Sequence, residues 1–292
     1  MNIKFYVKRT LKKIMPSQMR VNLRKRQRHF RQILNGQQPK TSLEDFRKLL
    51  VDNLGIREGD NLIVSSSFGN LNAAFSPREA IEVLQSIVTK KGLIMMPYYP
   101  PMNSDEWVQK DEIFDMALTK SGMGVLTNIF ASMDGVFKSL HPTKAVCAWG
   151  GIAQAIVSNH DKSKTPFYWD SPYGRLLLSG RSKSLCLGLK NLPIIHTFED
   201  VFSEPFDFYY YKEKRKLKVR LVNRDVIEVS TYIHDPYIID HCIPGGDYVK
   251  DIAPSTYKQF PFGLKFVVLV DHQSLFATVK KEFQQGNSRY RH

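Results

Sequence analysis

The sequence predicts an α/β fold, layered α/β/α, with helices on both sides of a mainly parallel central sheet and added antiparallel strands. Three observations lead there. A short apolar strand, NLIVSS (61–66), is followed by a helix entered at Ser76-Pro77 and then by a second buried strand, LIMMP (93–97). Further strand-like runs at 145–149, 185–188 and 267–270 alternate with helical patterns. Residues 216–221 and 226–230 flank an Asn-Arg-Asp turn, which reads as an antiparallel hairpin.

The elements follow in order from Thr41. Ser42 with Asp45 three residues on is a capping-box variant, and Leu43, Phe46, Leu49 and Leu50 share one helix face until Gly55 stops it. SFGN after the first strand reads as a turn. Ala80, Ile81, Leu84 and Ile87 stand at core spacing in the next helix. Residues 99–118, rich in Pro, Met and acids, read as a long loop over the site. Helices are expected at 126–133 and 153–158, and a last one buries Leu275, Val279 and Phe283. The chain shows no internal repeat.

Composition narrows the class. A hydrophobic fraction of 42% with 12% aromatics describes a folded chain of 292 residues with a substantial core. Cys147, Cys186 and Cys242 are too few and scattered for a disulfide framework or a zinc site, which points to a reducing, cytoplasmic compartment. No apolar run is long enough to span a bilayer. Residues 1–40 hold twelve Lys or Arg and no acid, leaving 30 basic residues against 28 acidic ones in residues 41–292. The basicity therefore belongs to an arm (1–40), and nucleic acid is an unlikely partner for the body (41–292). Within the arm, Ile3, Val7, Leu11 and Ile14 lie at helical spacing among lysines, and 18–34 repeats the mixture. Such basic amphipathic segments suit the inner face of an anionic membrane; an RNA-binding arm, or packing on its own domain or a partner, are the other readings.

The chemistry gathers between Lys138 and Glu199. His196 and Glu199 stand at i and i+3, so on a helix they share a face, and a carboxylate beside an imidazole fixes its tautomer and strengthens it as a base. His141-Pro142 precedes a small-residue run with paired glycines, where backbone can approach a ligand; a satisfied core histidine is the plainer account. Ser65-Ser66-Ser67 ends the first strand, the edge where α/β sheets bind ligands, or is a turn with capping hydroxyls. Asp170 binds a cation or shapes a turn. No H-E-x-x-H, G-x-S-x-G, Walker loop or convincing dinucleotide fingerprint is present, so neither a metal nor a nucleophilic hydrolase is indicated.

In order, these segments resemble the aminoglycoside 3-N-acetyltransferase family. Ser65-Ser66-Ser67-Phe68 stands where the family has His-Ser-Ser-Leu, and GLIMMP (92–97) where it has its G-T-L-V-M-P strand. Lys138-Ser139-Leu140-His141-Pro142, TPFYWDSPYGRL (165–176) and Ile195-His196-Thr197-Phe198-Glu199 are similar to three further motifs. The likeness runs from about Ser42 to the last helix. Ser65, Ala145, Tyr168 and Pro193 depart from the pattern, and the arm has no place in it.

The resemblance implies the family's fold, distinct from histone-acetyltransferase-like folds, and direct acetyl transfer from acetyl-CoA to an amine of an amino sugar. His196 would be the general base, with Glu199 orienting it or binding the substrate ammonium. Ser66, Ser67, His141, Pro142 and Thr143 would line the donor path, with Lys144 on the CoA diphosphate. Asp170, Tyr173, Asp105 and Asp111 are the acceptor candidates, because a polycationic aminoglycoside calls for an acidic site. The arm fits an acceptor in surface-polysaccharide assembly, such as a nucleotide- or lipid-linked amino sugar, better than an antibiotic. The other reading is a catalytically degenerate relative, tethered to membrane or RNA as a scaffold. Oligomeric state, a homodimer included, stays open at this level.

Overall fold

The computed structural model describes residues 38–202 and 209–290. By contacts the chain divides into units 1–40 and 41–292. The expectations made for residues 1–34 lie outside the described residues.

The second unit starts with α1 (Leu43–Lys48), whose Ser42 and Asp45 form the reciprocal capping box read from the sequence, and which continues as a π turn over Leu49–Asn53. Strand β1 (Asn61–Ser66) has the expected bounds, and SFGN is a 3₁₀ turn over Phe68–Leu71. Helix α2 (Pro77–Val88) is entered through Ser76, which boxes with Glu79, and leads to β2 (Leu93–Pro97).

The expected loop 99–118 is instead folded. Asn103 caps α3 (Ser104–Gln109), which buries Trp107, and β3 (Phe114–Asp115) buries Phe114. Next come α4 (Val125–Phe130), β4 (Phe137–Lys138), β5 (Val146–Gly150) and α5 (Ala153–Val157). Then follow α6 (Pro172–Leu178), β6 (Ser182–Leu187) and α7 (Ile195–Phe202). The hairpin is β7 (Arg215–Arg220) with β8 (Val226–Thr231). Helices α8 (Pro236–His241) and α9 (Gly245–Ile252) lead to β9 (Tyr257–Phe262), β10 (Lys265–Asp271) and α10 (His272–Gln284).

Seven strands form one sheet in the order β4-β5-β2-β1-β6-β10-β9. The three central strands are parallel, and antiparallel strands extend both sides, so the sheet is the mixed, mainly parallel one expected. Successive residues of each strand serve opposite layers. Leu62, Val64, Ile94, Met96, Leu185, Leu187, Val267 and Leu269 join one core with Phe46, Ile81 and Leu84. Ile63, Leu93, Met95, Cys186, Val268 and Val270 join the other with Leu176, Phe198 and Leu275. A second sheet, β3-β7-β8, carries the hairpin. Among the described residues no helix is long and apolar enough to cross a membrane.

One contact sets how close β5 comes to β2. Gly150 has φ +138° and pairs with Leu93, and a Cβ placed on it would lie 2.1 Å from the Gly92 carbonyl oxygen. Gly150→Ala should therefore cost about 1–3 kcal/mol, read by chemical denaturation; an unchanged midpoint would remove this account of the β2–β5 approach.

Candidate active site

Helix α7 begins beyond the C-terminal end of β6, where an α/β sheet presents its ligands. His196 Nδ1 lies 3.0 Å from Glu199 Oε2, on the face their spacing predicts. The His196 side chain is 20% exposed and that of Glu199 is 1% exposed. The carboxylate is held from the other side by two residues sequence reasoning missed. Arg289 pairs with Oε1 through Nε and with Oε2 through Nη2, and the Tyr290 hydroxyl donates to Oε2 at 2.7 Å. An ionised carboxylate only accepts, so His196 carries its proton on Nδ1 and leaves the Nε2 lone pair free. Arg289 Nη2 also lies 3.2 Å from Nδ1; a guanidinium can only donate, so that contact is not a hydrogen bond in this tautomer.

The electrostatics agree. Burial raises the Glu199 carboxyl, but Arg289 and the bond from His196 outweigh it and hold the group at about 2. Burial lowers His196, partly offset by Glu199, so the imidazole is neutral at pH 7.

Aromatic rings fix the plane of the base. His196 is tilted against Phe167, with centroids 4.8 Å apart, and against His234 at 4.7 Å. His234 stacks on Tyr210 at 4.4 Å, and its Nε2 is buried with no hydrogen-bond partner. Beneath them Asp200 is 1% exposed and accepts from Thr165, Tyr209 and Tyr210 hydroxyls. Burial outweighs these bonds and raises its carboxyl to about 7.

The TPFYWDSPYGRL segment therefore buttresses the base. Thr165 bonds Asp200, Phe167 faces His196, and Ser171 caps α6 through the Gly174 N–H. Two acceptor candidates from this segment have structural partners. Asp170 accepts from the Lys164 N–H at 3.0 Å and shapes the turn. Tyr173 is fully buried, its hydroxyl spent on that of Tyr99 at 2.8 Å.

The KSLHPTK segment makes a wall. His141 Nδ1 accepts from the N–H groups of Thr143 and Lys144 (3.2 and 3.0 Å), which puts its proton on Nε2, donated to Thr231 at 3.0 Å. His141, 1% exposed, and buried Pro142 thus pin a turn behind the wall. Thr143 and Lys144 face a cleft of about 260 Å³, lined also by Tyr99 to Ser104, Gly122 and Met123. Tyr173 and Phe167 link this cleft to His196. The Lys144 Nζ sits over the Tyr99 ring, 4.7 Å from its centroid, and burial brings the ammonium down to about 8, so it is charged at neutral pH. At the end of β1, Ser66 Oγ is buried and unpartnered, whereas Ser67 Oγ accepts from Asn70.

Asp105 and Asp111 do not line the cleft. Asp105 accepts from Tyr211 at 2.8 Å and from Gln109, and Asp111 pairs with Lys218 at 2.7 Å, because α3 and β3 fold onto the hairpin. Among the described residues no cluster of three or more acidic, His or Cys side chains could hold a metal. Ser65 and Ala145, departures from the family pattern, are buried at strand ends, and the Pro193 carbonyl accepts the His196 N–H.

Comparison with known proteins gives concordant results. A family profile described as aminoglycoside 3-N-acetyltransferase matches residues 63–284. A curated relative, the SPbeta prophage-derived aminoglycoside N(3')-acetyltransferase-like protein YokD of Bacillus subtilis (strain 168), is 29% identical over 125 residues, 37% of this chain. The match spans only 46% of that relative's length. The fold superposes on AAC-VIa bound to sisomicin with a TM-score of 0.67 and 19% identity, covering 86% of this chain and 100% of the other. For AAC-IIIb binary with CoASH the TM-score is 0.65 at 19% identity, covering 87% and 100%.

Asp200 sets a pH dependence of stability. Its carboxyl stands at 3.8 when unfolded and about 7 when folded, so the native state keeps the proton over that interval. The stability this confers is full below the unfolded value and is lost as pH rises through about 7. Asp200→Asn should flatten the fall in urea midpoint across that window. Parallel profiles for the two proteins would show that Asp200 titrates normally.

Proposed function

The chain belongs to the aminoglycoside 3-N-acetyltransferase family, and from that premise we propose that it transfers acetyl from acetyl-CoA to an amine of an amino sugar, with His196 as general base. The observation that carries this is the His196–Glu199 pair, buried, with its proton on Nδ1 and Nε2 free.

An amine attacks only after losing a proton, and the neutral Nε2 accepts it. The imidazolium so formed keeps its Nδ1–H on Glu199, whose charge Arg289 and Tyr290 hold in place. Acetyl-CoA would supply the acyl group as a thioester: the amine nitrogen bonds to the carbonyl carbon, the C–S bond breaks, and the proton taken by Nε2 passes to the departing CoA thiolate. The residues fit such a donor: Ser66 Oγ is a buried hydroxyl without a protein partner at the C-terminal end of a central strand. Ser66 O also faces Gly124, next to the cleft residues Gly122 and Met123. The Ser66 hydroxyl, with that of Ser67 beside it, would stabilise charge developing on the thioester oxygen. Support also comes from the AAC-IIIb structure with CoASH. The intact buried network around Glu199 favours an active enzyme over a degenerate scaffold.

His196→Ala should lower kcat by about 10²–10⁴-fold, measured as acetyl-dependent thiol release against a panel of amino sugars. Glu199→Gln should lower kcat less and keep the KM for acetyl-CoA. Because burial lowers His196, the acid limb of the wild-type rate profile should fall below pH 6.5. Full activity of His196→Ala would displace it as the base; no thiol release with any amine, and no acetyl-CoA binding, would end the transferase reading.

The basic arm is proposed to hold the enzyme at an anionic membrane surface of the cytoplasm, near an acceptor used in surface-polysaccharide assembly. The full chain should float with anionic liposomes while a chain lacking residues 1–40 stays at the bottom of the gradient. Equal behaviour of the two would refute the arm's role.

A further inference from the structure

The charge of the cleft is opposite to what a polycationic acceptor requires. Among the described residues its lining holds one side chain of formal charge, the ammonium of Lys144, and no carboxylate. Each acid that could have faced it from the neighbouring segment, except Glu112, is engaged. Asp105 serves Tyr211, Glu106 pairs with Lys110, Asp111 with Lys218, and Asp115 with Arg220. Glu112 is exposed on the turn before β3 and is absent from the lining. Glu199, beside the base, is neutralised by Arg289.

Among the described residues the Lys144 ammonium has no carboxylate within ion-pair distance and lies over the Tyr99 ring. Next to it Thr143, 1% exposed and also in the cleft lining, has a buried hydroxyl with no hydrogen-bond partner. Both groups are aimed by the same device, since their N–H groups are pinned to His141 Nδ1. A partly desolvated cation beside an orphan hydroxyl is a pair that an anionic oxygen would satisfy together.

We infer that this cleft receives an oxyanion, phosphate or carboxylate, borne by the amino-sugar acceptor, so that the acceptor is an anionic amino sugar and not a polycationic aminoglycoside. The inference rests on the acetyl-transfer reading above. The other phosphate source is the donor. In acetyl-CoA, however, the whole pantetheine arm separates the diphosphate from the reacting carbonyl, whereas Lys144 adjoins the base through a short run of ring contacts, Tyr99, Tyr173 and Phe167. Lys144 is thereby moved from the donor's diphosphate to the acceptor.

The test is calorimetric binding to the full-length protein of glucosamine, glucosamine 1-phosphate, 2-amino-2-deoxyglucuronic acid and sisomicin, with thiol release measured alongside. Wild type should bind at least one of the two anionic sugars tenfold or more tighter than glucosamine, and sisomicin more weakly than that sugar. Which anionic sugar gains separates phosphate from carboxylate. Lys144→Gln should erase the preference and leave the KM for acetyl-CoA unchanged, Lys144→Arg should restore most of it, and Thr143→Val should reduce it severalfold. Sisomicin binding tightest, or Lys144→Gln raising the KM for acetyl-CoA with no loss of anion preference, would overturn the inference and leave the transferase intact. Anion preference through Lys144 without any acetyl transfer would support the cleft and sink the transferase.

Discussion

A carboxylate with 1% of its surface in water has to be answered by charge, and the burial of Glu199 is the constraint on which the site depends. Leaving such a group unpaired would cost several kcal/mol, so Arg289 and Tyr290 are drawn in from beyond α10 to meet it. That pairing fixes where the chain's last described residues run. Arg289 Nη1 also reaches the Ile243 carbonyl, so the segment before α9 is tied to the same point. His196 then gives the carboxylate its Nδ1–H and still keeps a basic lone pair on Nε2. The base exists because the ion pair beneath it is complete.

How much of this was legible in the sequence depends on the range of the interaction. Strands β1 and β2 showed themselves because both faces are buried, giving short continuous apolar runs with clean ends. The Ser42 and Ser76 boxes are local over three residues and were equally plain. Strand β9 was hidden, since YKQFPF carries a lysine, a glutamine and a proline, as an edge strand with one solvated side does. The segment 99–118 read as a loop because its acids suggested solvent, whereas Asp111 and Asp115 pair with hairpin residues Lys218 and Arg220, and Asp105 with Tyr211 just before the hairpin, about a hundred positions away. Glu199 and Arg289 are likewise 90 residues apart, and nothing but an Arg-Tyr pair following the last helix could have hinted at them.

The motif segments turn out to work mostly at one remove from the chemistry. TPFYWDSPYGRL supplies Thr165 to Asp200 and Phe167 to the face of His196, and its Tyr173 closes the back of the cleft through Tyr99. A ring wedged between two others loses rotational freedom, which is what a base needs if its lone pair is to point one way. Residue types that look like ligands in a sequence, an Asp and a Tyr in an open loop, are here the means of holding that geometry. The same logic removes Asp105 and Asp111 from the cleft, and with them the negative lining that a polycation would need.

Two histidines make the division of labour explicit. Both are largely shielded and both are neutral, because burial lowers each imidazole. His141 meets two backbone N–H donors at Nδ1, so its proton sits on Nε2 and is consumed by Thr231; every ring nitrogen is satisfied and nothing remains for a substrate. His196 meets an acceptor at Nδ1, so its proton sits there, and Nε2 keeps a lone pair. What the partner at Nδ1 can do, donate or accept, thus decides which histidine pins a turn and which moves a proton. A neutral residue in place of Glu199 would leave His196 in its position among the rings while removing the reason for its tautomer. The carboxylate, more than the imidazole's place in the fold, is what makes this site a base.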